Sequence, residues 1–201
     1  MILVSFEKIS GSRDELEDGA RLAFPAYLSQ EYIDDVARRR NDASATEGLG
    51  ALILLSRLAT KIGADTERLG LCRSENGRPY FEGSELDFSI SHSRGIVAVA
   101  ISDTCKVGID VEAADMSSER VRKLADRYLS PSEASSLSST EDFLRLWTQR
   151  EAYVKQSGTP LAEALANGIP SDVKLYELNV FDSPATLCFS GNEEIRLLMD
   201  L

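Results

Sequence analysis

One short segment constrains the fold more than any other part of this chain. Residues 107–112 read Val-Gly-Ile-Asp-Val-Glu, an apolar and β-branched run that predicts a strand. Side chains alternate between the two faces of a strand, so Asp110 and Glu112 share one face while Ile109 and Val111 share the other. Two carboxylates framed in this way are costly to bury unless something neutralises them. An exposed edge strand with solvated acids is the alternative.

A second segment supplies groups that would complement these acids. Residues 146–155 read Leu-Trp-Thr-Gln-Arg-Glu-Ala-Tyr-Val-Lys and predict part of a helix. Trp147, Glu151 and Lys155 recur at i, i+4 and i+8, so they lie on one stripe of that helix. Three acids and a lysine at these spacings predict a magnesium site with a phosphate beside it, because Mg²⁺ prefers carboxylate and phosphate oxygens. A surface Glu–Lys ion pair and a core position for the tryptophan are the alternatives.

Two further segments carry groups suited to phosphate. Residues 77–79 (Gly-Arg-Pro) place Arg78 on a rigid turn, and arginine recognises phosphate through a planar fork of donors. Residues 88–93 (Phe-Ser-Ile-Ser-His-Ser) place hydroxyls, Ser91 among them, around His92, the only histidine. A nucleophilic Ser–His pair is disfavoured, because these residues are immediate neighbours and the chain has no G-x-S-x-G elbow. A solvated arginine and a structural histidine remain the alternatives.

Composition and charge exclude several classes of function. The chain of 201 residues has a net charge of −11, divided into −5 for residues 1–103 and −6 for residues 104–201. Neither half is basic, which argues against binding to nucleic acid or to anionic membranes. The longest apolar stretch, residues 49–55, is far shorter than the roughly 20 residues that span a bilayer. Three scattered cysteines without a C-x-x-C pair fit a reducing cytoplasm rather than a disulfide framework or a zinc site.

The whole pattern predicts a mixed α+β chain. Helices are predicted at residues 13–23, 29–40, 44–61, 117–127 and 140–156, and strands at residues 1–9, 86–91, 96–102, 106–111, 173–178, 185–190 and 195–199. Residues 130–133 (Ser-Pro-Ser-Glu) form a capping box that begins a further helix. Because the order strand, helices, strands occurs twice, we predict two α+β halves of similar plan, residues 1–103 and 104–201.

The helix predicted over residues 44–61 is apolar on nearly every side, so we expect it to be buried. Gly48 and Gly50 within it predict the close approach of another backbone. The helix also carries Glu47, and its first basic residue is Arg57.

Taken together, the four segments resemble the 4′-phosphopantetheinyl transferase family, in particular its longer, single-chain (Sfp-type) branch. The family pattern is G-(K/R)-P, then F-x-I-S-H-S, then (V/I)-G-(I/V)-D-(V/I)-E, then W-x-x-(K/R)-E-(A/S)-x-x-K, and all four parts occur here in order. The resemblance covers residues 77–155 well and the flanks loosely. It implies two pseudo-symmetric α+β halves, the second carrying the metal site, with the active-site cleft between them in a monomer.

The resemblance also implies a reaction. The 4′-phosphopantetheine arm of coenzyme A, the substrate, would move to a serine of an apo acyl or peptidyl carrier protein, and 3′,5′-ADP would leave. Mg²⁺, with Mn²⁺ as an alternative, would lie on Asp110, Glu112 and Glu151, with Asp110 also close to coenzyme A. Glu151 would act as the base, directly or through a metal-bound water, and Lys155 would bind coenzyme A and neutralise the leaving oxygen.

Other residues receive roles through the same resemblance. Arg78, His92 and Ser91 would contact coenzyme A, and Glu133 lies where the family often carries another active-site acid. The family usually supplies a cation to the 3′-phosphate from the long helix, whereas this chain has Glu47 there, so the arginines at residues 38–40 are candidates. A basic group on the predicted helix 117–127 offers a dock for an acidic carrier: Arg120, Arg122, Lys123 and Arg127.

Two alternatives to this transferase remain. One is a degenerate family member that binds coenzyme A or a carrier protein without transfer, although the acids and the lysine are intact. The other is a different Mg²⁺-dependent enzyme that hydrolyses a phosphate ester, although the chain has no G-x-x-x-x-G-K-(S/T) phosphate loop.

Overall fold

A computed structural model describes residues 1–199 and the helices and strands within them. The elements follow in this order: β1 (Ile2–Lys8), α1 (Arg13–Ala23), α2 (Tyr27–Ala37), α3 (Asp42–Lys61), β2 (Gly70–Arg73), β3 (Pro79–Glu82), β4 (Asp87–Ser93), β5 (Ile96–Ser102), β6 (Val107–Val111), α4 (Ser118–Tyr128), α5 (Pro131–Ser136), α6 (Thr140–Ser157), α7 (Leu161–Asn167), β7 (Val173–Val180), β8 (Ser183–Ser190) and β9 (Ile195–Leu198). The predicted mixture of helices and strands is confirmed.

Side-chain caps set several helix boundaries. Ser12 begins α1 with a capping box in which Glu15 bonds back to the cap. Ser130 and Glu133 form the same arrangement at the start of α5, as the sequence predicted. Helix α6 ends at Ser157 and is capped by Gly158, whose φ of 74° is the left-handed conformation that glycine adopts without strain. These helix boundaries therefore coincide with local capping signals in the sequence.

The strands form two larger sheets and a hairpin. The first sheet has the order β4-β5-β1-β9, the second has the order β6-β8-β7, and β2 pairs with β3. In the first sheet, the hairpin β4–β5 follows the helices α1 to α3, and β5 pairs antiparallel with β1. In the second sheet, the hairpin β7–β8 follows the helices α4 to α7, and β8 pairs antiparallel with β6. The strand β9, by contrast, crosses to the first sheet and lies parallel to β1.

The two sheets pack face to face between layers of helices. On β5, the odd-numbered Val97, Val99 and Ile101 join the core under α1, α2 and α3. The alternate residues of β5 instead meet the second sheet in a separate apolar layer, whose members include Ile2, Val4, Phe6, Ala98, Ala100, Val107, Ile109, Val111, Leu187 and Phe189. Helix α6 covers the other face of the second sheet, where Ala152 and Tyr153 meet Cys188.

The long helix α3 is buried, as its apolar periphery predicted. The predicted approach of another backbone at Gly48 and Gly50 is wrong, because side chains fill those spaces. A Cβ at Gly48 would lie 2.7 Å from Cγ1 of Val36, and one at Gly50 would collide with the side chain of Ile9. The hairpin β2–β3 and the helix α7 were not predicted. Within the described residues, no helix combines the length and the apolar character needed to cross a membrane.

Gly108 brings β6 into direct contact with α6. A Cβ at this position would overlap the carbonyl oxygen of Ala152 and lie 2.6 Å from the backbone nitrogen of Gln156. Both atoms belong to the backbone of a buried helix, so neither can rotate away. The glycine of the Val-Gly-Ile-Asp-Val-Glu segment is therefore required by packing, and it sets the distance between the strand that carries Asp110 and the helix that carries Glu151.

Gly108→Ala should lower the free energy of unfolding by about 2 to 3 kcal/mol, because the added methyl group must push β6 and α6 apart. Urea denaturation of wild type and variant measures this loss. Gly19→Ala is the matched control, since its Cβ would meet only the flexible end of Ile53, at 2.9 Å, and should change stability by less than about 1 kcal/mol. Equal losses in the two variants would contradict the packing argument.

Candidate active site

The strand β6 lies along β4 of the other sheet, and side chains of β4 bond to its backbone. Every second residue of β4 accepts a hydrogen bond from the backbone N–H that lies 20 positions later in the chain. The bonds join Asp87 Oδ2 to Val107 N at 2.8 Å, Ser89 Oγ to Ile109 N at 3.0 Å, Ser91 Oγ to Val111 N at 3.4 Å and Ser93 Oγ to Ala113 N at 3.1 Å. We call these four side chains of β4 the polar ladder.

Two members of the polar ladder also hold the predicted acids. The hydroxyl of Ser91 donates to Asp110 Oδ1 at 2.7 Å, and that of Ser93 donates to Glu112 Oε2 at 2.9 Å. The acids share the face of the strand that the sequence predicted. They do not lie on an exposed edge, because Asp110 is only 5% exposed and Glu112 is half-buried.

The helix α6 brings Lys155 to the same place. Its Nζ lies 2.7 Å from Asp110 Oδ1 and donates to the carbonyl oxygen of Ile109 at 3.2 Å. Oδ2 of Asp110 is buried and has no hydrogen-bond partner among the described residues. A buried carboxylate oxygen without a partner is costly, so this atom is suited to a cation.

The predicted acids line one cleft between β4, β6, α4 and α6, with a volume of about 440 Å³. Its charged and titratable lining comprises His92, Asp110, Glu112, Arg120, Glu151 and Lys155. The structure therefore brings together residues that are up to 63 positions apart in the sequence, as the motifs predicted. Trp147 also touches this cleft, but it is 7% exposed and stacks on Phe143 at a centroid distance of 5.7 Å, so its predicted core role is confirmed.

The acids repel one another in this cleft. Burial raises the pKa of Glu151, and the nearby charge of Asp110 raises it further, although Lys155 partly opposes both effects. Burial and the charge of Asp110 likewise raise the pKa of Glu112, against the opposing hydrogen bond from Ser93. Excess negative charge in a partly buried site favours the binding of a cation.

The donor set is suited to a hard cation. Carboxylate oxygens are the ligands that Mg²⁺ and Mn²⁺ take, and the unpartnered Oδ2 of Asp110 is one such donor. As placed, no three His, Cys, Asp or Glu side chains within residues 1–199 are close enough together to hold a metal ion. Asp110, Glu112 and Glu151 line one cleft without forming a closed ligand set, and their part in metal binding stays a prediction.

His92 is held by a residue that sequence reasoning did not assign to it. Its Nδ1 lies 2.7 Å from Oε2 of Glu47, whose Oε1 accepts the backbone N–H of Gly95 at 2.5 Å. An ionised carboxylate only accepts hydrogen bonds, so Nδ1 carries the hydrogen. Burial lowers the pKa of His92, and Glu47 offsets this only in part. The one signal in the sequence was that Glu47 is the only acid in the helix predicted over residues 44–61.

A small basic pocket adjoins His92. Its lining includes Tyr32, Arg39 and Arg73, and it encloses about 150 Å³. Of the three arginines at residues 38–40, only Arg39 lines this pocket, and burial lowers its pKa. The side chain of Arg38 is 73% exposed and pairs with Asp34. Gly48 makes room for Arg39, because a Cβ there would lie 2.9 Å from Nη1.

Arg78 joins the two sheets to α6. Its Nη2 donates to Asp87 Oδ2 at 2.6 Å and to the carbonyl oxygen of Val107 at 3.0 Å, and its Nη1 donates to the carbonyl oxygen of Gln156 at 3.4 Å. The residue also lines a cavity of about 580 Å³ that Lys155 borders. Arg78 therefore has a structural role that the turn signal did not reveal, and its predicted phosphate contact is untested.

Glu133 lies away from the cleft. Its carboxylate closes the capping box of α5 and pairs with Arg150, which is 8% exposed and also donates to the carbonyl oxygen of Leu165 at 3.3 Å. The hydrogen bonds from Ser130 lower the pKa of Glu133, and Arg150 lowers it further. Glu133 is not among the residues that line the cleft, and its contacts attach α5 to α6.

The helix α4 turns a basic stripe toward solvent. Arg120, Lys123 and Arg127 are exposed at i, i+3 and i+7, so they lie along one side of the helix. Val121 and Leu124 of the same helix pack in the core around Trp147. The stripe begins at the cleft, since Arg120 belongs to its lining. The predicted basic surface thus lies beside the acids, and Arg122 is exposed next to it.

Comparison with known proteins agrees with the motifs. Residues 106–190 match the sequence model of the 4′-phosphopantetheinyl transferase superfamily. The 4′-phosphopantetheinyl transferase HetI of Nostoc sp. (strain PCC 7120) is 32% identical over 162 residues, which are 76% of this chain and 61% of that protein. The 4′-phosphopantetheinyl transferase Sfp of Bacillus subtilis (strain 168) is 28% identical over 148 residues, which are 69% of this chain and 64% of that protein.

A third relative is similar over a shorter region. The 4′-phosphopantetheinyl transferase AcpT of Salmonella typhi is 35% identical over 91 residues, 42% of this chain and 47% of that protein. The chain spans between 47% and 64% of the length of these three relatives. It is a homologue of the 4′-phosphopantetheinyl transferases, and the resemblance predicted from its four motifs is confirmed.

The raised pKa of Glu151 leads to a prediction about stability. An acid whose pKa is higher in the folded state favours folding when protonated and opposes it when ionised. In the absence of metal, Glu151→Gln should therefore raise the melting temperature near neutral pH. The gain should shrink as the pH falls through the raised pKa and should disappear below the ordinary value of 4.5.

Thermal denaturation in EDTA from about pH 4 to about pH 8 measures this dependence. Glu163→Gln is the matched control, because Glu163 is exposed on α7 and the same change there should leave the melting temperature nearly constant. A Glu151→Gln variant that is no more stable than wild type at neutral pH would contradict the prediction.

Proposed function

We propose that this homologue of the 4′-phosphopantetheinyl transferases transfers the 4′-phosphopantetheine arm of coenzyme A to a serine of an apo acyl or peptidyl carrier protein, with release of 3′,5′-ADP. The observation that carries the proposal is the shared cleft of Asp110, Glu112, Glu151 and Lys155, with His92 and a basic pocket beside it. Transfer of a phosphoryl group depends mainly on positioning and charge neutralisation, and these are the groups that such a site needs.

Asp110, Glu112 and Glu151 would hold Mg²⁺, or Mn²⁺ as an alternative. When bound, the metal would neutralise charge on the diphosphate of coenzyme A. The support for this donor set is the unpartnered Oδ2 of Asp110 together with the raised pKa values of the other two acids.

Lys155 and Glu151 would carry the chemical step. Lys155 already places its ammonium group against Asp110, at the border between the acidic cleft and the cavity that Arg78 lines, where it would neutralise the leaving diphosphate oxygen. Glu151 would accept the proton of the carrier serine, directly or through one water. A carboxylate bound to Mg²⁺ is a weak base in its own right, because the metal lowers its pKa, so we favour the route through a metal-bound water.

The basic pocket would hold the 3′-phosphate of coenzyme A. Arg39 and Arg73 supply charge, and His92, which lines both the pocket and the cleft, supplies a ring nitrogen. A phosphate dianion beside His92 would raise its pKa and thereby restore the second N–H donor. Ser91, which precedes His92, would contact coenzyme A in the cleft, and Arg78 would contact it in the cavity that Lys155 borders.

The carrier protein would dock on α4. Carrier proteins of this kind are acidic, and the chain is acidic overall, so attraction must come from a local surface. The stripe of Arg120, Lys123 and Arg127 begins at the cleft and faces solvent, which fits this need. We also propose that the protein acts as a cytoplasmic monomer; its three free cysteines suit a reducing compartment.

Incubation of an apo carrier protein with this protein, coenzyme A and Mg²⁺ should raise the intact mass of the carrier by about 340 Da, the mass of one phosphopantetheine arm. EDTA should abolish the gain, and Glu151→Gln should slow it by roughly 100-fold or more. Glu163→Gln is the control for the carboxamide change. Release of inorganic phosphate without a carrier would instead indicate a hydrolase, and coenzyme A binding without mass gain would indicate a binding protein.

Charge reversal on α4 should weaken carrier recognition alone. Arg122→Glu together with Lys123→Glu should raise the KM for the carrier by roughly 10-fold, because the local attraction becomes repulsion, and should leave the Kd of coenzyme A unchanged. Steady-state kinetics and calorimetry measure the two quantities. Lys61→Glu together with Arg68→Glu, an equal charge change at two exposed residues outside α4, is the control. An unchanged KM for the carrier would remove α4 as the dock.

A further inference from the structure

Two serines of the polar ladder each make two hydrogen bonds through the hydroxyl group. Ser93 Oγ accepts the backbone N–H of Ala113 at 3.1 Å and donates to Glu112 Oε2 at 2.9 Å. Ser91 repeats the pattern: its Oγ accepts from Val111 N at 3.4 Å and donates to Asp110 Oδ1 at 2.7 Å. Each serine thus accepts from one residue of β6 or of residues 112–113 directly after it, and donates to the side chain of the residue before that one.

This arrangement fixes the direction of each hydroxyl hydrogen. A hydroxyl has a single hydrogen, and a backbone N–H can only donate, so the hydrogen of each serine must point to the carboxylate. The serine holds one oxygen of its acid and leaves the other available. For Asp110 the available atom is the buried Oδ2 that has no partner among the described residues.

We propose that Ser91 and Ser93 are positioning residues that orient Asp110 and Glu112 toward a bound divalent cation. The inference rests on the proposed function, because it assumes that these acids are metal ligands. A hydrogen bond from a neighbouring group commonly fixes the orientation of a ligating carboxylate, and its loss weakens metal binding. The serines would act through the acids and would not touch the metal.

The chain provides an internal control for a purely structural role. Ser89 Oγ accepts the N–H of Ile109 at 3.0 Å, in the same geometry as the other two serines. The residue before Ile109 is Gly108, so this serine has no carboxylate to hold. Loss of the hydroxyl at Ser89 removes one support of β6, whereas loss at Ser91 or Ser93 also frees an acid. Only the second effect should change metal affinity.

Ser93 gives the cleanest test, since it is not proposed to contact coenzyme A. Ser93→Thr keeps the hydroxyl, and Ser93→Val has nearly the same shape without it, so the pair differs only in the hydrogen bond. Mn²⁺ binding to the full chain is measured by the electron paramagnetic resonance of free and bound Mn²⁺, without coenzyme A or carrier. Ser91→Ala and Ser89→Ala are measured in the same way, with the melting temperature of each variant.

Ser93→Val and Ser91→Ala should bind Mn²⁺ roughly 10-fold more weakly than wild type, while Ser93→Thr and Ser89→Ala should bind it with nearly the wild-type Kd. Equal affinity of the Thr and Val variants at Ser93 would overturn the proposal, and so would an equal loss in Ser89→Ala. Wild-type protein that does not bind Mn²⁺ would overturn the proposed metal site together with this inference. Wild-type binding with unchanged variants would overturn the inference alone.

Discussion

The hydrogen bonds between β4 and the backbone of β6 are the interaction on which the rest of the structure depends. One side of β6 pairs with β8, and its remaining N–H groups face the other sheet at a buried junction, where an unpaired donor would be costly. Four side chains at alternate positions of β4 accept these hydrogens. A shift of β4 by one residue along β6 would place Phe88 and Ile90 opposite these N–H groups, so the polar ladder fixes how the two sheets align. That alignment places the acids of β6 beside α6.

The site combines two opposing electrostatic requirements. Asp110 is buried and partly satisfied by Lys155 and Ser91, yet it raises the pKa of both Glu112 and Glu151. The site therefore has more carboxylates than nearby cations. This imbalance opposes folding of the protein when no cation is bound, and it favours the binding of a cation. The absence of a Cβ at Gly108 lets α6 pack directly on β6, and this close packing keeps Glu151 near Asp110.

Much of this arrangement was predictable from sequence, and the exceptions have physical causes. The helix α1 and the strand β5 have the predicted bounds, because a capping box and a strongly apolar run are local signals. The hydrogen-bond partners of Ser89 and Ser93 were not predictable, because the alternation of side chains along β4 does not indicate which backbone segment this strand will face. The pair of Glu47 and His92 joins residues 45 positions apart and depends on how α3 crosses the sheet. The strands β2 and β3 have only four residues each, too few for a clear period.

The parallel pairing of β9 with β1 has a consequence for the order of events during synthesis. Ile2 pairs with Ile195, so the outer edge of β1 finds its partner only near the end of the described chain. Without β9, the first sheet would end at β1, whose unpaired backbone groups could pair with another chain. During synthesis this edge therefore stays unpaired until residues 195–198 have been made, and a pause before residue 195 would prolong its exposure.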